Sequence, residues 1–273
     1  MSVLLPTDAL IIRAMRARAT CKESREAGAA PDHMRRFGGA VALRNEWVRR
    51  VVAFTADELP MLDEMLAWLG DGGRAARLVI EVPPVDASKA VYAELSRRGL
   101  RYTGAQALLA REPARPGLID EPLPPGLTLD VVEHASQLAD FARVFVDGFG
   151  LADDAPADRE MLLQRIAAEH MHEPARWRVF LARVDGQPAA LGTLFIVGDG
   201  TGGTGWFANG ATLHAFRGRG AHRAVTLARL RAATEAGLEL VAVDTHVNSA
   251  AQRSLHRAGF HLLAHFAQWG DAD

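Results

Sequence analysis

The chain has 273 residues, more than one ordinary domain and enough for two of modest size. With 49% hydrophobic residues and a formal net charge of −2, it has no global field that would favour nucleic acid or an anionic membrane, so basic clusters must be judged locally. A single cysteine, Cys21, excludes an internal disulfide and multi-cysteine zinc sites and fits a reducing, cytoplasmic setting.

Residues 1–34 read as an N-terminal extension, polar and irregular after one short helix-like run, and either an extra helix or a partly disordered segment. Asp8 lies inside the first apolar run and no basic start precedes it, so a signal peptide is not expected. No stretch approaches the ~18–20 apolar residues of a membrane span. Residues 35–112 form a first domain. A strand at 50–54 leads through Thr55-Ala-Asp-Glu58 into a helix over 59–69. Acidic side chains at that helix start satisfy its dipole internally and would repel an anion. A strand at 78–82, a helix through Tyr92 and Leu95, and a strand at 105–110 complete this half.

Residues 113–126 are dense in proline and read as a linker. The second domain, 127–273, opens with an alternating strand at 127–132 and a helix over 136–149 whose Leu138, Phe141, Val144 and Phe145 share one face. A second helix is expected over 158–170. Strands at 177–184 and 189–197 flank the turn residues Asp185 and Gly186. The glycine-rich stretch 198–205 has no helix after it and reads as a hairpin loop. A strand at 207–213, a long helix over 220–236, a buried strand at 238–244, a helix over 249–258 and a strand at 260–269 follow. The fold class is mixed α/β, α+β-like, built around one mixed sheet. The passage 78–110 is echoed by 240–269, with Arg98-Gly99-Leu100 matching Ala258-Gly259-Phe260.

The chemistry concentrates in Arg217-Gly-Arg-Gly-Ala-His-Arg223, between a strand and a helix. Gly218 and Gly220 permit backbone conformations closed to other residues and let a ligand approach. The unpaired N–H groups of the next helix converge there, where its dipole favours an anion. Arg217, Arg219 and Arg223 add positive charge, and no acidic residue lies between Ala208 and Glu235. A diphosphate suits this arrangement. A plain tight connection and a short nucleic-acid contact compete with it. A dinucleotide fingerprint would need glycine where Arg223 stands, and the lysine of a nucleoside-triphosphate loop is absent.

Arg217-x-x-Gly220, opening a helix after a strand, resembles the acetyl-CoA pyrophosphate signature of the GNAT superfamily of N-acetyltransferases. Asn248-x-x-Ala251-x-x-x-Leu255-x-Arg257-x-Gly259-Phe260 resembles that superfamily's second motif. The resemblance spans 127–269 and implies a GNAT fold, preceded here by a degenerate GNAT-like copy that should not bind CoA. It implies acetyl-CoA, or another acyl-CoA, as co-substrate and a small-molecule or peptide amine as acceptor. Nucleic acid, membrane and metal are not implied. The backbone of Ala211, Thr212 and Leu213 would hold the pantetheine arm. Arg217, Gly218, Arg219, Gly220, Ala221, His222 and Arg223 would hold the pyrophosphate. Asn248, Ser249 and Gln252 would touch the same arm, with the thioester in the gap between the strands at 207–213 and 240–244. His222 stands where the pattern wants a small residue.

The superfamily often protonates the leaving thiolate with a tyrosine, and here Leu255 occupies that position. Both tyrosines, Tyr92 and Tyr102, precede the linker. Ser254 is the neighbouring hydroxyl. Asp244 and His246 alternate onto one face at a strand end and are the candidate bases. Glu169-His-Met-His-Glu173 invites a metal reading, but His170 and His172 would not share a helical face, and a solvated helix end is expected. The expected activity is N-acyl transfer; a non-catalytic acyl-CoA sensor is the alternative.

Overall fold

The computed structural model describes residues 7–45, 49–70, 77–113, 121–151, 159–160, 163–166, 173–198 and 202–271. Two compact units emerge, and neither is continuous in sequence. One comprises 1–110, 242–253 and 260–273; the other comprises 111–241 and 254–259. The first break falls between residues 110 and 111. The C-terminal strand, however, joins the first unit, where two halves divided at the linker would leave it in the second.

In the first unit, α1 (Asp8–Ala29) is a helix of 22 residues, longer than the short run expected from sequence. Its N-cap is Thr7, whose hydroxyl accepts from the Leu10 amide. Its buried face carries Arg18, Ser24 and Glu26 as well as Ile11, Ala14 and Met15, so apolar spacing alone understates it. Strands β1 (Met34–Phe37), β2 (Ala40–Arg44) and β3 (Arg49–Val52) form an antiparallel meander. Next, β4 (Leu78–Val82) runs parallel to β3. Both α2 (Leu62–Leu69) and α3 (Ser88–Arg97) bury an apolar stripe with Phe54, Ile80 and Val82. The helix preceding α2 is a 3-10 turn, Ala56–Met61, with Pro60 inside it. Strand β5 (Arg101–Arg111) is longer than expected and pairs antiparallel with the last strand, β11 (His261–Gly270), which also pairs antiparallel with β4.

The second unit is built on the antiparallel order β6 (Leu127–Val131), β7 (Trp177–Val184), β8 (Gln187–Val197) and β9 (Thr204–Thr212). Asp185 and Gly186 have φ of 51° and 80°, as a two-residue hairpin turn requires. Helix α4 (Ala135–Phe149) packs Phe141 and Val144 on Val179, Leu181, Leu191 and Ala211. Helix α5 (Ala221–Glu235) meets the opposite face, since Val225 and Arg229 lie against Gly192, next in the strand to Leu191. Strand β9 starts three residues earlier than expected and takes in part of the glycine-rich stretch. Gly205 belongs to the strand because Leu194, Leu238 and Val241 leave no room for a side chain there.

Strand β10 (Leu240–His246) and helix α6 (Ala250–Arg257) are divided between the units. The echo read from the sequence extends to the backbone. Strand, helix and strand recur as β4–α3–β5 and β10–α6–β11, and Gly99 and Gly259 end their helices with φ of 80° and 82°. No helix among the described residues is long and apolar enough to cross a membrane. Residues 169–172 and most of the helix expected over 158–170 lie outside the described residues.

Candidate active site

The glycine turn is built as its residues dictate. After β9 a 3-10 turn, His214–Phe216, leads to Gly218 and Gly220 with φ of 80° and 83°. Gly220 is the N-cap of α5 and offers no side chain, so the first-turn amides of Ala221, His222 and Arg223 have no side-chain cap. Arg217 is exposed and has no side-chain partner among the described residues. An oxyanion fits this concavity: open amides, a positive helix end and a spare guanidinium.

The local sequence is free of acids, yet two carboxylates arrive from elsewhere in the same unit. Asp185 Oδ2 accepts from Arg219 at 2.7 Å. Both oxygens of Glu121 accept from Arg223, at 2.7 and 2.6 Å. This pairing holds the Glu121 carboxyl below its ordinary range. Distant carboxylates thus occupy two of the three arginines of a turn that has no acid of its own. The signal was non-local, in the linker and in a hairpin turn, and inspection of the 208–235 stretch could not find it. Glu121, Leu123 and Pro124 also face Gly220, Arg223 and Leu227 across a pocket of about 120 Å³.

Strand β9 carries a bulge: Leu191 faces Ala211 but Thr193 faces Ala208, so three steps on β9 match two on β8. The irregularity falls on Asn209, at φ 53°, and Gly210. A bulge bends a strand and takes backbone groups out of the regular ladder. The Asn209-Gly210 dipeptide inside a strand was the available sequence signal. Among the residues expected to hold the pantetheine arm, Thr212 has a buried hydroxyl without a hydrogen-bond partner. The Leu213 N–H donates to Ala189, which leaves its C=O, already accepting from Phe216, as the backbone group with acceptor capacity to spare.

His222 packs behind the turn. Its Nδ1 lies 3.3 Å from Ser254 Oγ. Burial, and then the nearby Arg229, push its pKa down to about 4, so the ring is neutral at pH 7. Arg229 is 2% exposed and stacks on Phe207 at 4.2 Å. It donates to carbonyl oxygens of Ala208 and Val225, and no carboxylate pairs with it among the described residues. Burial lowers it to about 9. Leu255, at the tyrosine position, is buried and offers no proton.

In the first unit, Asn248, Ser249 and Gln252 have local work. Ser249 Oγ accepts from the Gln252 amide at 3.0 Å, and Gln252 Oε1 accepts from the Asn248 amide at 2.6 Å. Together they cap α6. Asp244 is not a free carboxylate: Arg18 donates to it at 3.0 Å and, against the effect of burial, holds it below the ordinary range. An anion so held is a poor proton acceptor, and the Asp244 role is corrected to that of an ion-pair partner. His246 is exposed, with Nδ1 3.1 Å from the Gln106 amide. The Gln106 Nε2–H donates to the Nδ1 lone pair, which leaves the ring proton on His246 Nε2.

Where the second unit has its glycine turn, the first unit has a filled one. Glu58 is 1% exposed and accepts from the Thr55 amide and hydroxyl, the Gly39 amide and Arg16. These contacts, opposing burial, keep it ionised. The protein's own carboxylate sits there, as the Thr55-Ala-Asp-Glu58 sequence implied.

Comparison with known proteins places these features. Residues 140–260 match the model of the acetyltransferase (GNAT) family. A GCN5-related N-acetyltransferase from Kribbella flavida superposes with a TM-score of 0.68 at 22% identity, covering 96% of each chain. A tandem GNAT protein from the clavulanic acid biosynthesis pathway gives 0.64 at 15% identity, covering 97% of each. A GCN5-related N-acetyltransferase from Sphaerobacter thermophilus gives 0.59 at 18% identity, covering 98% of this chain and 94% of that one. No curated protein sequence matches the chain. Residues 140–260 thus match the acetyltransferase (GNAT) family, and the fold of the chain is similar to that of a tandem GNAT protein.

Proposed function

We propose that this protein is an acyl-CoA-dependent N-acyltransferase that passes an acetyl, or another short acyl group, to an amine. The observation that carries the reading is the uncapped start of α5 behind two left-handed glycines, inside the segment that matches the acetyltransferase family. The amides of Ala221, His222 and Arg223, with Arg217 and Arg219, bind the pyrophosphate. The backbone of Ala211 and Thr212 binds the pantetheine arm. Bound acyl-CoA supplies the thioester carbonyl carbon.

The chain's own contribution is positioning and proton handling. The acceptor nitrogen must attack as a neutral amine, forming C–N as C–S breaks. His246, turned by Gln106, takes the proton that the new ammonium must lose, at Nδ1 once that atom leaves the Gln106 amide. Leu255 provides no acid for the thiolate; Ser254, hydrogen-bonded to His222, is the nearest hydroxyl on that helix. Calorimetry with acetyl-CoA tests the reading: micromolar-range binding lost in Gly220→Asp is expected, and absence of binding would sink it. The buried Leu255 favours one second reading, a non-catalytic acyl-CoA sensor. Release of free thiol above background with any amine removes that reading.

A further inference from the structure

The second unit buries a guanidinium to which the acyl-CoA site, as described, gives no role. Arg229 on α5 is 2% exposed, and no carboxylate pairs with it among the described residues. A buried cation without a counter-charge is costly, and leucine or methionine would fill the space without that cost. An apolar side chain cannot supply the fork of N–H donors. Nη1 donates to the Ala208 carbonyl at 3.4 Å, and Nε to the Val225 carbonyl at 3.4 Å. Ala208 accepts a second bond, at 3.0 Å, from the hydroxyl of Thr193, which is fully buried. The guanidinium lies over the Phe207 ring at 4.2 Å.

These contacts converge where β9 leaves its regular ladder. Thr193 faces Ala208, whereas Leu191 faces Ala211, so Ala208 is the last residue in register before the bulge. Gly192 stands opposite the bulge, and its missing side chain makes the room that the guanidinium fills. A Cβ there would lie 2.7 Å from Val225 Cγ1 and 2.9 Å from Arg229 Cζ. On the bulge itself, a Cβ at Gly210 would lie 3.7 Å from Arg229 Nη2. From the other face α4 closes on the same segment, since a Cβ at Gly148 would stand 2.9 Å from the Ala211 Cβ.

We propose that Arg229 is a positioning residue for acyl-CoA: with Thr193 it holds the Ala208 carbonyl, and so fixes the β9 bulge and the direction of the Ala211–Thr212 backbone that receives the pantetheine arm. This rests on the acyl-transfer reading and adds a residue that acts through the strand. A bulge bends its strand, so a change in its geometry re-aims the residues that follow. Ala211 comes just after the bulge. The pyrophosphate turn lies further on, beyond the 3-10 turn His214–Phe216, and is set by the start of α5. Loss of the Arg229 fork should therefore loosen the hold on pantetheine and spare the hold on pyrophosphate.

The test uses the full-length protein in two arms. In the first, without ligand, amide hydrogen exchange is followed residue by residue. Arg229→Met should speed exchange roughly tenfold or more at Ala211 and Thr212 while β6 and β7 keep their rates. Unchanged rates at Ala211 and Thr212, or faster exchange throughout the unit, overturn the proposal. In the second arm, calorimetry compares acetyl-CoA with adenosine diphosphate, which carries the pyrophosphate and no pantetheine. Arg229→Met should raise Kd for acetyl-CoA roughly tenfold or more and leave Kd for adenosine diphosphate within about twofold. Arg229→Lys keeps the charge without the fork and should recover only part of the affinity. An unmoved Kd for acetyl-CoA, or equal losses for both ligands, overturns the proposal. Should Arg229→Met fail to fold, Thr193→Val removes the other donor to the same carbonyl and should show the same split between ligands, to a smaller extent. Failure of the unaltered protein to bind acetyl-CoA would instead strike the acyl-transfer reading, and the exchange arm would still decide whether Arg229 sets the bulge.

Discussion

Glu121 and Arg223 form a two-pronged ion pair, 2.7 and 2.6 Å, in which a linker carboxylate occupies an arginine of the pyrophosphate turn. A pyrophosphate at the start of α5 would have to share Arg223 with that carboxylate or displace it. Glu121→Gln is therefore expected to tighten acetyl-CoA binding, and Arg223→Gln to weaken it. The pair is exposed, so solvent limits the effect to roughly two- to tenfold in Kd. Calorimetry at low and physiological salt checks both. Unchanged affinity in Glu121→Gln would show that pyrophosphate and Glu121 do not compete.

Arg18 is 3% exposed and answers two carboxylates, Glu81 and Asp244. Arg18→Met leaves the fully buried Glu81 without its closer partner, which by analogy with broken buried pairs costs about 3–5 kcal/mol. Urea denaturation at pH 7 should show that loss. The acid limb follows from the depressed Asp244. Its folded pKa lies below the unfolded value, so its contribution is present above the ordinary carboxylate range and disappears as pH falls through the folded value. Asp244→Asn should flatten this part of the stability profile below pH ~4 while lowering stability at pH 7.

The glycine turn was legible because its physics is local: glycine conformation, helix start and basic residues within seven positions. The Thr55–Glu58 capping box was legible for the same reason. The partners of Arg219, Arg223 and Asp244 were not, since they lie 34, 102 and 226 positions away in sequence. Helix α1 was legible only as one of two alternatives, because its buried face includes Arg18 and Glu26 and apolar periodicity does not signal such positions. The membership of β11 in the first unit was likewise invisible, as strand pairing between distant segments leaves no mark on either one alone.

Gln106 and His246 make a separate prediction. If the Gln106 amide orients the imidazole, His246→Gln should lower kcat by roughly 10²-fold or more, within the range for a lost general base. Gln106→Leu should lower kcat less and leave acetyl-CoA affinity unchanged. Conversely, an unaltered kcat in His246→Gln would remove it from the mechanism.

His222 offers the sharpest pH test. Its pKa falls to about 4 from an ordinary 6.5, through burial first and Arg229 second. The folded state therefore prefers the neutral ring. Its contribution is complete above pH 6.5, declines as pH drops and is gone below pH 4. The imidazole resonances of His222 should stay flat from pH 8 to about 5.5. Arg229→Met removes the second cause but not the first, so it should raise the His222 pKa only part of the way. The neutral ring also decides what Ser254 can do. A neutral Nδ1 acceptor orients the Ser254 hydroxyl but cannot supply a second proton. Ser254→Ala should thus cost kcat modestly, roughly tenfold or less, if thiolate departure needs only a hydrogen bond. A loss nearer 10³-fold would mean that Ser254 protonates the sulfur, with the proton replaced from elsewhere than His222.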